Sequence, residues 1–368
     1  MSNIPIELPP WTEADPDAER MAGLVAALSQ ADGPADAAGA WPEELWGLLQ
    51  EATAPRWSLP EELGGEACSR PLLLQRYAQV ASGSLTAMFI LSQHDAAVRR
   101  LSTVADRPAA RGWLGEIASG QAFATVGISQ LTTSRRLGAH ALLASKLAPG
   151  EFRLQGAMPW VTAAERADVF VTGALLEDDQ QILLALPADR PGVEVRPSFE
   201  LAALQASCTA EVVLKEVEVK ESDLLAGPSP ELSAQPGAVG TAGLETSALA
   251  LGQARAALGA LVGLADLRLE LVDPALVLCE TWRQNWNALN ACARGDQDAL
   301  DPDQVRAQAN ALVLRTTQAY LTARRGTGFL RTEPAQRWAR QALFFLVWSC
   351  PAPIAQAAIR DLAGLCPG

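Results

Sequence analysis

The stretch that decides the fold is EFRLQGAMPWVT, residues 151–162, followed four residues later by ADVFVTGA, residues 167–174. Both contain short runs of β-branched and aromatic residues bounded by turn signals, a pattern that predicts strands. The full set of expected strands is 123–128, 152–155, 169–174, 182–186 and 211–219. Because no helical segment separates these runs, they favour an antiparallel barrel or sandwich over a doubly wound parallel sheet.

Helical patterns flank the strand region on both sides. Apolar residues at three- and four-residue spacing predict helices at 22–29, 42–52, 71–101 and 106–120, and again at 244–269, 274–294, 303–324, 334–348 and 353–365. We therefore expect a multi-layer α+β fold with an N-terminal helical domain, a central antiparallel β-barrel or sandwich and a C-terminal helical bundle. The expected parts are a flexible arm at 1–20, a helical domain at 21–121, a β domain at 122–227, a linker at 228–240 and a C-terminal helical domain at 241–368.

The composition is that of a globular and acidic chain. Of 368 residues, 49% are hydrophobic and 19% are charged, which is enough apolar material for a sizeable core. A formal net charge of −13 repels nucleic acid and anionic lipid, so neither is an expected partner. The first residues lack a basic start and an apolar core, and no later stretch approaches the roughly 20 uncharged residues that span a bilayer. We expect a cytoplasmic protein without membrane insertion.

Histidine and cysteine usage argues against a metal centre. The chain has two histidines, His94 and His140, each interpreted as a hydrogen-bonded structural residue. Its six cysteines show neither a CxxC pair nor a dense framework, which is typical of thiols in a reducing compartment.

Three segments are similar to motifs of the acyl-CoA dehydrogenase family. GAMPWVT (156–162) followed by Ala167-Asp168 resembles the family pattern G-x-K-x-W-I-T…A-D, and LPADRPGV (186–193) resembles its P-G-v segment. LLAG (224–227) resembles the family's l-L-G. The resemblance extends over about residues 71–348 and implies a flavoprotein oxidoreductase of fatty acid or acyl thioester metabolism. FAD is the implied cofactor, with FMN less favoured.

The resemblance also implies which residues hold the flavin. Trp160 and Thr162 match family residues that lie against it, where an indole shields one ring face and a hydroxyl donates to flavin N5. Ser129 matches a threonine of the family's v-T-E-P-x-A-G-S-D loop that contacts the flavin. Gly326 and Gly328 match a loop that helps to hold the FAD of a neighbouring subunit.

Substrate binding is expected from the same loop. Ser134 roughly matches the loop serine near the phosphate and thioester. In so acidic a chain, a coenzyme A thioester needs a local cluster of arginines, and the candidates are Arg135 with Arg136 and Arg324 with Arg325.

The general base is the residue on which the implied reaction depends. Family members remove the α-proton of an acyl thioester with a glutamate while flavin N5 takes the β-hydrogen as hydride. Ser349 stands where many members carry that glutamate, and a neutral serine cannot replace it. Relatives resembling isovaleryl-CoA dehydrogenase carry it on the first long C-terminal helix, where Glu245 matches. We expect Glu245 to be the base, with its pKa raised by an apolar pocket; the alternative is a carboxylate that opens a helix.

Three functions remain open on this scaffold, since one fold hosts several chemistries. The favoured one is a dehydrogenase that forms a 2,3-unsaturated acyl-CoA or acyl carrier protein thioester. The others are a flavin monooxygenase and a catalytically degenerate relative that binds a ligand or partner. Implied partners are the thioester substrate, an electron-transfer flavoprotein or other electron acceptor, and further copies in a homodimer or homotetramer. The family's R-x-x-F-G motif, whose arginine contacts FAD phosphate, has no counterpart after Arg268.

Overall fold

The computed structural model describes residues 6–131, 142–230, 232, 243–348, 350 and 352–365. The helices before the sheet are α1 (Ala18–Ala38), α2 (Glu43–Glu51), α3 (Arg70–Gly83), α4 (Leu85–Ser102) and α5 (Pro108–Ala118). The strands are β1 (Ala124–Gly127), β2 (Leu143–Ala148), β3 (Glu151–Val161), β4 (Val169–Leu176), β5 (Gln181–Pro187), β6 (Val193–Val195), β7 (Ala210–Lys220) and β8 (Leu224–Ser229). After the sheet come α6 (Leu244–Ala265), α7 (Val272–Arg294), α8 (Pro302–Arg324), α9 (Pro334–Ala342) and α10 (Ala352–Leu362).

The strands form one sheet in the order β6-β7-β3-β2-β4-β5-β8, with β1 paired to β4. The helix–strand–helix class is confirmed. Most pairings are antiparallel, but β4 takes β1 and β2 as parallel neighbours, so the sheet is mixed. Strands β2, β6 and β8 were not predicted. In β2 most side chains are exposed and none is β-branched, so its sequence carries no strand signal.

The predicted helix 71–101 is wrong in one respect, because it is two helices. Ser84 between α3 and α4 has extended φ and ψ of −150° and 114°. Its hydroxyl accepts from the Ala87 amide at 3.1 Å and donates to Asp32 at 2.6 Å. A Cβ on Gly83 would lie 2.8 Å from the Val25 carbonyl oxygen, so the break occurs where α1 and α3 are in close contact.

The described part of the expected arm, residues 6–17, packs against the fold. The Trp11 ring lies 5.5 Å from that of Trp282, edge to face. Asp15 pairs with the fully buried Arg76, with 2.8 Å between Asp15 Oδ1 and Arg76 Nη2. A buried guanidinium requires such partners, so the acidic residues near the start of the chain have a structural role.

Helix α6 is the central helix of the C-terminal layer and packs against α3, α7 and α8. A Cβ on Gly252 would lie 2.2 Å from the Ala78 carbonyl oxygen, which shows how closely α6 approaches α3. Helix α6 is long and apolar enough to cross a membrane, but 67% of its most apolar window is buried inside the fold. Burial of this kind is also found in core helices of globular proteins.

Candidate functional site

The end of β3 presents an exposed indole beside a buried hydroxyl. Trp160 is 52% exposed, and its ring centroid lies 4.7 Å from that of Phe199. Thr162, only 4% exposed, follows β3 directly. Large aromatic side chains are rarely half exposed to solvent. An exposed pair of rings next to polar groups is therefore a candidate binding site for a planar ligand.

A chain of hydroxyl groups fixes the backbone at Thr162. Its carbonyl oxygen accepts from the Thr125 hydroxyl of β1 at 2.9 Å. Its own hydroxyl lies 3.3 Å from that of Thr209, which in turn lies 2.9 Å from the Ser207 hydroxyl. These groups lie on β1, directly after β3 and in the segment before β7, so Thr162 is bonded to two other parts of the β region.

Ser129 belongs to the same part of the sheet. It opens the 3-10 turn Ser129–Leu131 that follows β1, is half-buried, and the turn packs against β3. A Cβ on Gly127 would lie 2.5 Å from the Met158 sulfur, so β1 runs very close to β3 here. The structure therefore places the turn that carries Ser129 against β3, the strand that carries Trp160 and ends directly before Thr162, although these residues are up to 33 positions apart in the sequence.

Glu245 lies elsewhere, in the first turn of α6, where two arginines hold it. Its Oε1 atom lies 2.8 Å from Arg70 Nη1 at the start of α3 and 2.9 Å from Arg99 Nη1 near the end of α4. Burial alone would raise the pKa of Glu245, but the charges of Arg99 and Arg70 outweigh it and lower the pKa to about 2. The expectation of a raised pKa is wrong, because the surroundings are cationic rather than apolar.

A second buried acid lies beside this group. Asp95 of α4 is fully buried and accepts a hydrogen bond from the Tyr77 hydroxyl of α3. Burial raises the pKa of Asp95 to about 7, partly offset by the Tyr77 hydrogen bond and the charge of Arg99. The preceding residue, His94, has its Nδ1 atom 3.0 Å from the Ala124 carbonyl oxygen, in agreement with the predicted structural role. Burial lowers the pKa of His94 to about 4.

The glycines of the C-terminal loop lie in the 3-10 turn Arg325–Phe329 after α8. Gly326 is exposed, and a Cβ there would meet nothing within 4 Å. Gly328 is buried against Arg324 and Leu321. Within a single chain this turn contacts α8 and α9, so it is not brought together with Trp160. The predicted Ser134 and Arg135, together with Ser349, lie outside the described residues.

The sequence interpretation missed Arg70, Arg99, Asp95 and Tyr77 as neighbours of Glu245. One local signal was present, since the polar run Ser92-Gln93-His94-Asp95 interrupts an otherwise apolar helix and places Asp95 and Arg99 four residues apart. The contact with Glu245 spans 175 positions from Arg70, and nothing local encodes it.

No protein-family model matches the chain. A probable acyl-CoA dehydrogenase, YngJ, of Bacillus subtilis (strain 168) is 27% identical over 166 residues, which is 44% of this chain and 43% of the relative. A second probable acyl-CoA dehydrogenase of that organism is 26% identical over 182 residues, 45% of this chain and 28% of the relative. The matches thus span less than half the length of either curated relative.

Solved structures are similar over nearly the whole chain. Butyryl-CoA dehydrogenase from Megasphaera elsdenii has a TM-score of 0.78 at 17% identity, covering 96% of this chain and 100% of that chain. Dibenzothiophene monooxygenase from Paenibacillus sp. A11-2 has a TM-score of 0.76 at 16% identity, covering 94% and 95%. A glutaryl-CoA dehydrogenase from Mycobacterium smegmatis in complex with FADH2 has a TM-score of 0.79 at 17% identity, covering 95% of each chain. The chain therefore has the acyl-CoA dehydrogenase fold, and part of its sequence is similar to two probable acyl-CoA dehydrogenases.

Proposed function

We propose that the chain is a flavin-dependent dehydrogenase that oxidises an acyl thioester, linked to coenzyme A or to an acyl carrier protein, to the 2,3-unsaturated product. The observation that carries this proposal is the exposed Trp160 beside the buried Thr162 hydroxyl, at the end of β3 in an acyl-CoA dehydrogenase fold. An electron-transfer flavoprotein or another acceptor would then receive the electrons. An electron transferring flavoprotein of Acidaminococcus fermentans is itself among the similar structures, with a TM-score of 0.79 at 17% identity.

The described residues fit the ring end of a flavin. The indole of Trp160 and the ring of Phe199 supply apolar faces, and the hydroxyls of Thr162 and Ser129 supply polar partners for a heteroaromatic edge. A bound flavin would accept the hydride that leaves the β-carbon of the acyl group. We propose FAD rather than FMN, with the exposed backbone at Gly326 positioned to meet the FAD of a second copy in a homodimer or homotetramer.

Glu245 is our proposed base for the α-proton. It is ionised at neutral pH and thus able to accept a proton, but the pKa of about 2 makes it a weak base while Arg70 and Arg99 hold it. Removal of the proton therefore requires that these ion pairs loosen in the substrate complex.

The test is an anaerobic titration of the purified protein. We expect a bound flavin, identified by chromatography after denaturation, whose absorbance bleaches on adding acyl-CoA. Trp160→Ala should retain much less flavin, whereas Trp113→Ala, which removes a half-buried indole from α5, should retain it. Glu245→Gln should bind flavin but fail to bleach. Bleaching that is unchanged in Glu245→Gln would refute its role as the base.

A monooxygenase is the second candidate, favoured by the likeness to dibenzothiophene monooxygenase and by the low basicity of Glu245. Such an enzyme needs no carboxylate base, because reduced flavin reacts with O₂. Turnover that occurs only with supplied reduced flavin and O₂, without bleaching by any acyl-CoA, would select this alternative.

A further inference from the structure

A groove lies between residues near the start of the chain and the helices α1, α3 and α6. Its volume is about 530 Å³, within the range of roughly 300–1,000 Å³ that small-molecule sites occupy. Most of its lining is apolar or small, including Leu8, Met21, Val25, Ala256, Gly259 and Ala260. A Cβ on Gly259 would lie 3.2 Å from Leu8 Cδ1, so the absence of a side chain there keeps space open beside Leu8. We call this space the α6 groove.

Arg255 of α6 lines the groove as a cation without an anion. Its Cζ atom lies 4.3 Å from the ring centroid of Trp11 and 4.8 Å from that of Trp282. Its Nη1 donates to the Pro9 carbonyl oxygen at 2.5 Å, and it forms no ion pair with any described residue. Burial lowers the pKa of Arg255 to about 10, only partly offset by Cys279. Because a desolvated guanidinium without a counter-ion is costly, an anion that reaches Arg255 would be stabilised.

Two of the three guanidinium nitrogens can still donate to such an anion. Within the described part of the chain, Nε and Nη2 of Arg255 form no hydrogen bond, and neither atom is fully buried. These two atoms form one edge of the guanidinium, the fork that can bind both oxygens of a carboxylate. The free edge therefore has the geometry of a carboxylate site.

A second polar group of the groove lacks a partner. Gln79 of α3 lines the groove and is only 9% exposed, and its buried Oε1 has no hydrogen-bond partner among the described residues. Most buried polar atoms in a packed protein do find one. Arg255 and Gln79 together thus mark the groove as a space that the described groups of the protein leave unfilled.

The α6 groove is separate from the proposed reaction site. Arg255 follows Glu245 by ten positions on α6, which is about 15 Å along the helix axis at a rise of 1.5 Å per residue. The groove is lined by helices and by Leu8 and Trp11, whereas Trp160 belongs to β3. A ligand in the groove would therefore leave the proposed flavin site free.

We propose that the α6 groove binds a free fatty acid, with its carboxylate on Nε and Nη2 of Arg255 and its alkyl chain along Met21, Val25 and Gly259. The single cation matches a head group with one negative charge, and the net charge of −13 on the chain disfavours a dianion such as a phosphate monoester. The apolar lining accounts for the alkyl chain. This site is additional to the proposed dehydrogenase function and does not depend on it.

The test is a calorimetric titration of the purified protein with decanoate and with decanol, each kept below its solubility or micelle limit. The two share a ten-carbon chain and differ in the head group. We expect the Kd of decanoate to be at least about tenfold lower, since decanol lacks the charge-assisted hydrogen bonds to Arg255. Arg255→Gln should remove this difference. Arg283→Gln, which removes a positive charge from an exposed i,i+3 pair with Glu280, should keep it.

Two further variants distinguish the site from a general effect on folding. Arg255→Lys keeps the positive charge and should keep a preference for decanoate over decanol. Gly259→Leu fills the groove beside Leu8 and should raise the Kd of both ligands at least about tenfold, although Arg255 is unchanged. If Gly259→Leu binds decanoate as tightly as wild type does, the acid binds elsewhere and the proposal is overturned.

Three other results would also overturn the proposal. Equal affinities of decanoate and decanol for wild type would show that Arg255 does not bind the head group. Inorganic phosphate that binds as tightly as decanoate would show that the alkyl chain is not recognised. A dimer in sedimentation that Gly259→Leu dissociates and decanoate does not would show that a second copy occupies the groove. None of these measurements uses flavin bleaching by acyl-CoA, so failure of the fatty acid site and failure of the proposed dehydrogenase are distinguishable.

Discussion

Replacing Glu245 by glutamine tests the ion pairs that set its chemistry. The folded-state pKa of about 2 lies below the ordinary value of 4.5. A difference of this size corresponds to about 3 kcal/mol of stabilisation near neutral pH. Glutamine keeps the shape but leaves Arg70 and Arg99 without a counter-charge, so we expect Glu245→Gln to lower the free energy of unfolding by about 2–4 kcal/mol at pH 7.

The direction of the pKa shift fixes how the stability contributed by Glu245 changes with pH. Since the folded-state pKa is depressed, the stabilisation is fully present above pH 4.5 and is lost as the pH falls towards 2. Urea unfolding at pH 7 and at pH 3 should therefore show a large difference between wild type and Glu245→Gln at pH 7 and a smaller one at pH 3. Glu270→Gln removes an exposed partner of Arg268 and should leave the urea midpoint unchanged. Equal midpoints for wild type and Glu245→Gln at pH 7 would refute the ion pairs.

Three further outcomes follow from the packing. Arg76→Met should lower the free energy of unfolding by about 3–5 kcal/mol, since it leaves the buried Asp15 carboxylate without its partner. Residues 6–17 should then become accessible to proteases. A variant that resists proteolysis as well as wild type does would contradict this. Asp95 has a raised pKa of about 7, so its contribution to the free energy of unfolding is present at low pH and is lost as the pH rises from 3.8 to 7. Asp95→Asn should therefore flatten the fall in melting temperature between pH 5 and pH 8. An unchanged slope would exclude Asp95 as the source of that fall. Trp160→Ala should lower the free energy of unfolding only slightly, because the Trp160 indole is half exposed. Trp282 is fully buried, so Trp282→Ala should lower it by about 3–5 kcal/mol in urea unfolding. Equal losses would show that Trp160 is a core residue.

Local sequence patterns were sufficient to predict a helix or strand wherever that element carries its own hydrophobic period and turn residues. The order of helices, strands and helices follows from hydrophobic period and turn residues, and both are local properties. Residues 151–161 form β3 because apolar residues alternate along the strand, with Phe152, Leu154 and Met158 buried. The separate strand β2 escaped prediction because its side chains are mostly exposed, and the break at Ser84 because it depends on a contact with α1.

The candidate site also divides into features that follow from local sequence and features that depend on tertiary contacts. The sequence alone placed Trp160 and Thr162 two residues apart and close after the predicted strand 152–155, whereas β3 itself extends to Val161. It also placed Glu245 in the first turn of a helix. Only the tertiary structure decided what surrounds that carboxylate, since Arg70 and Arg99 come from helices far away in the chain. A pKa depends on charges within a few ångströms in space, whatever their separation in sequence. The pKa of Glu245 is therefore lowered by two arginines that the local sequence does not reveal, and not raised as expected from burial.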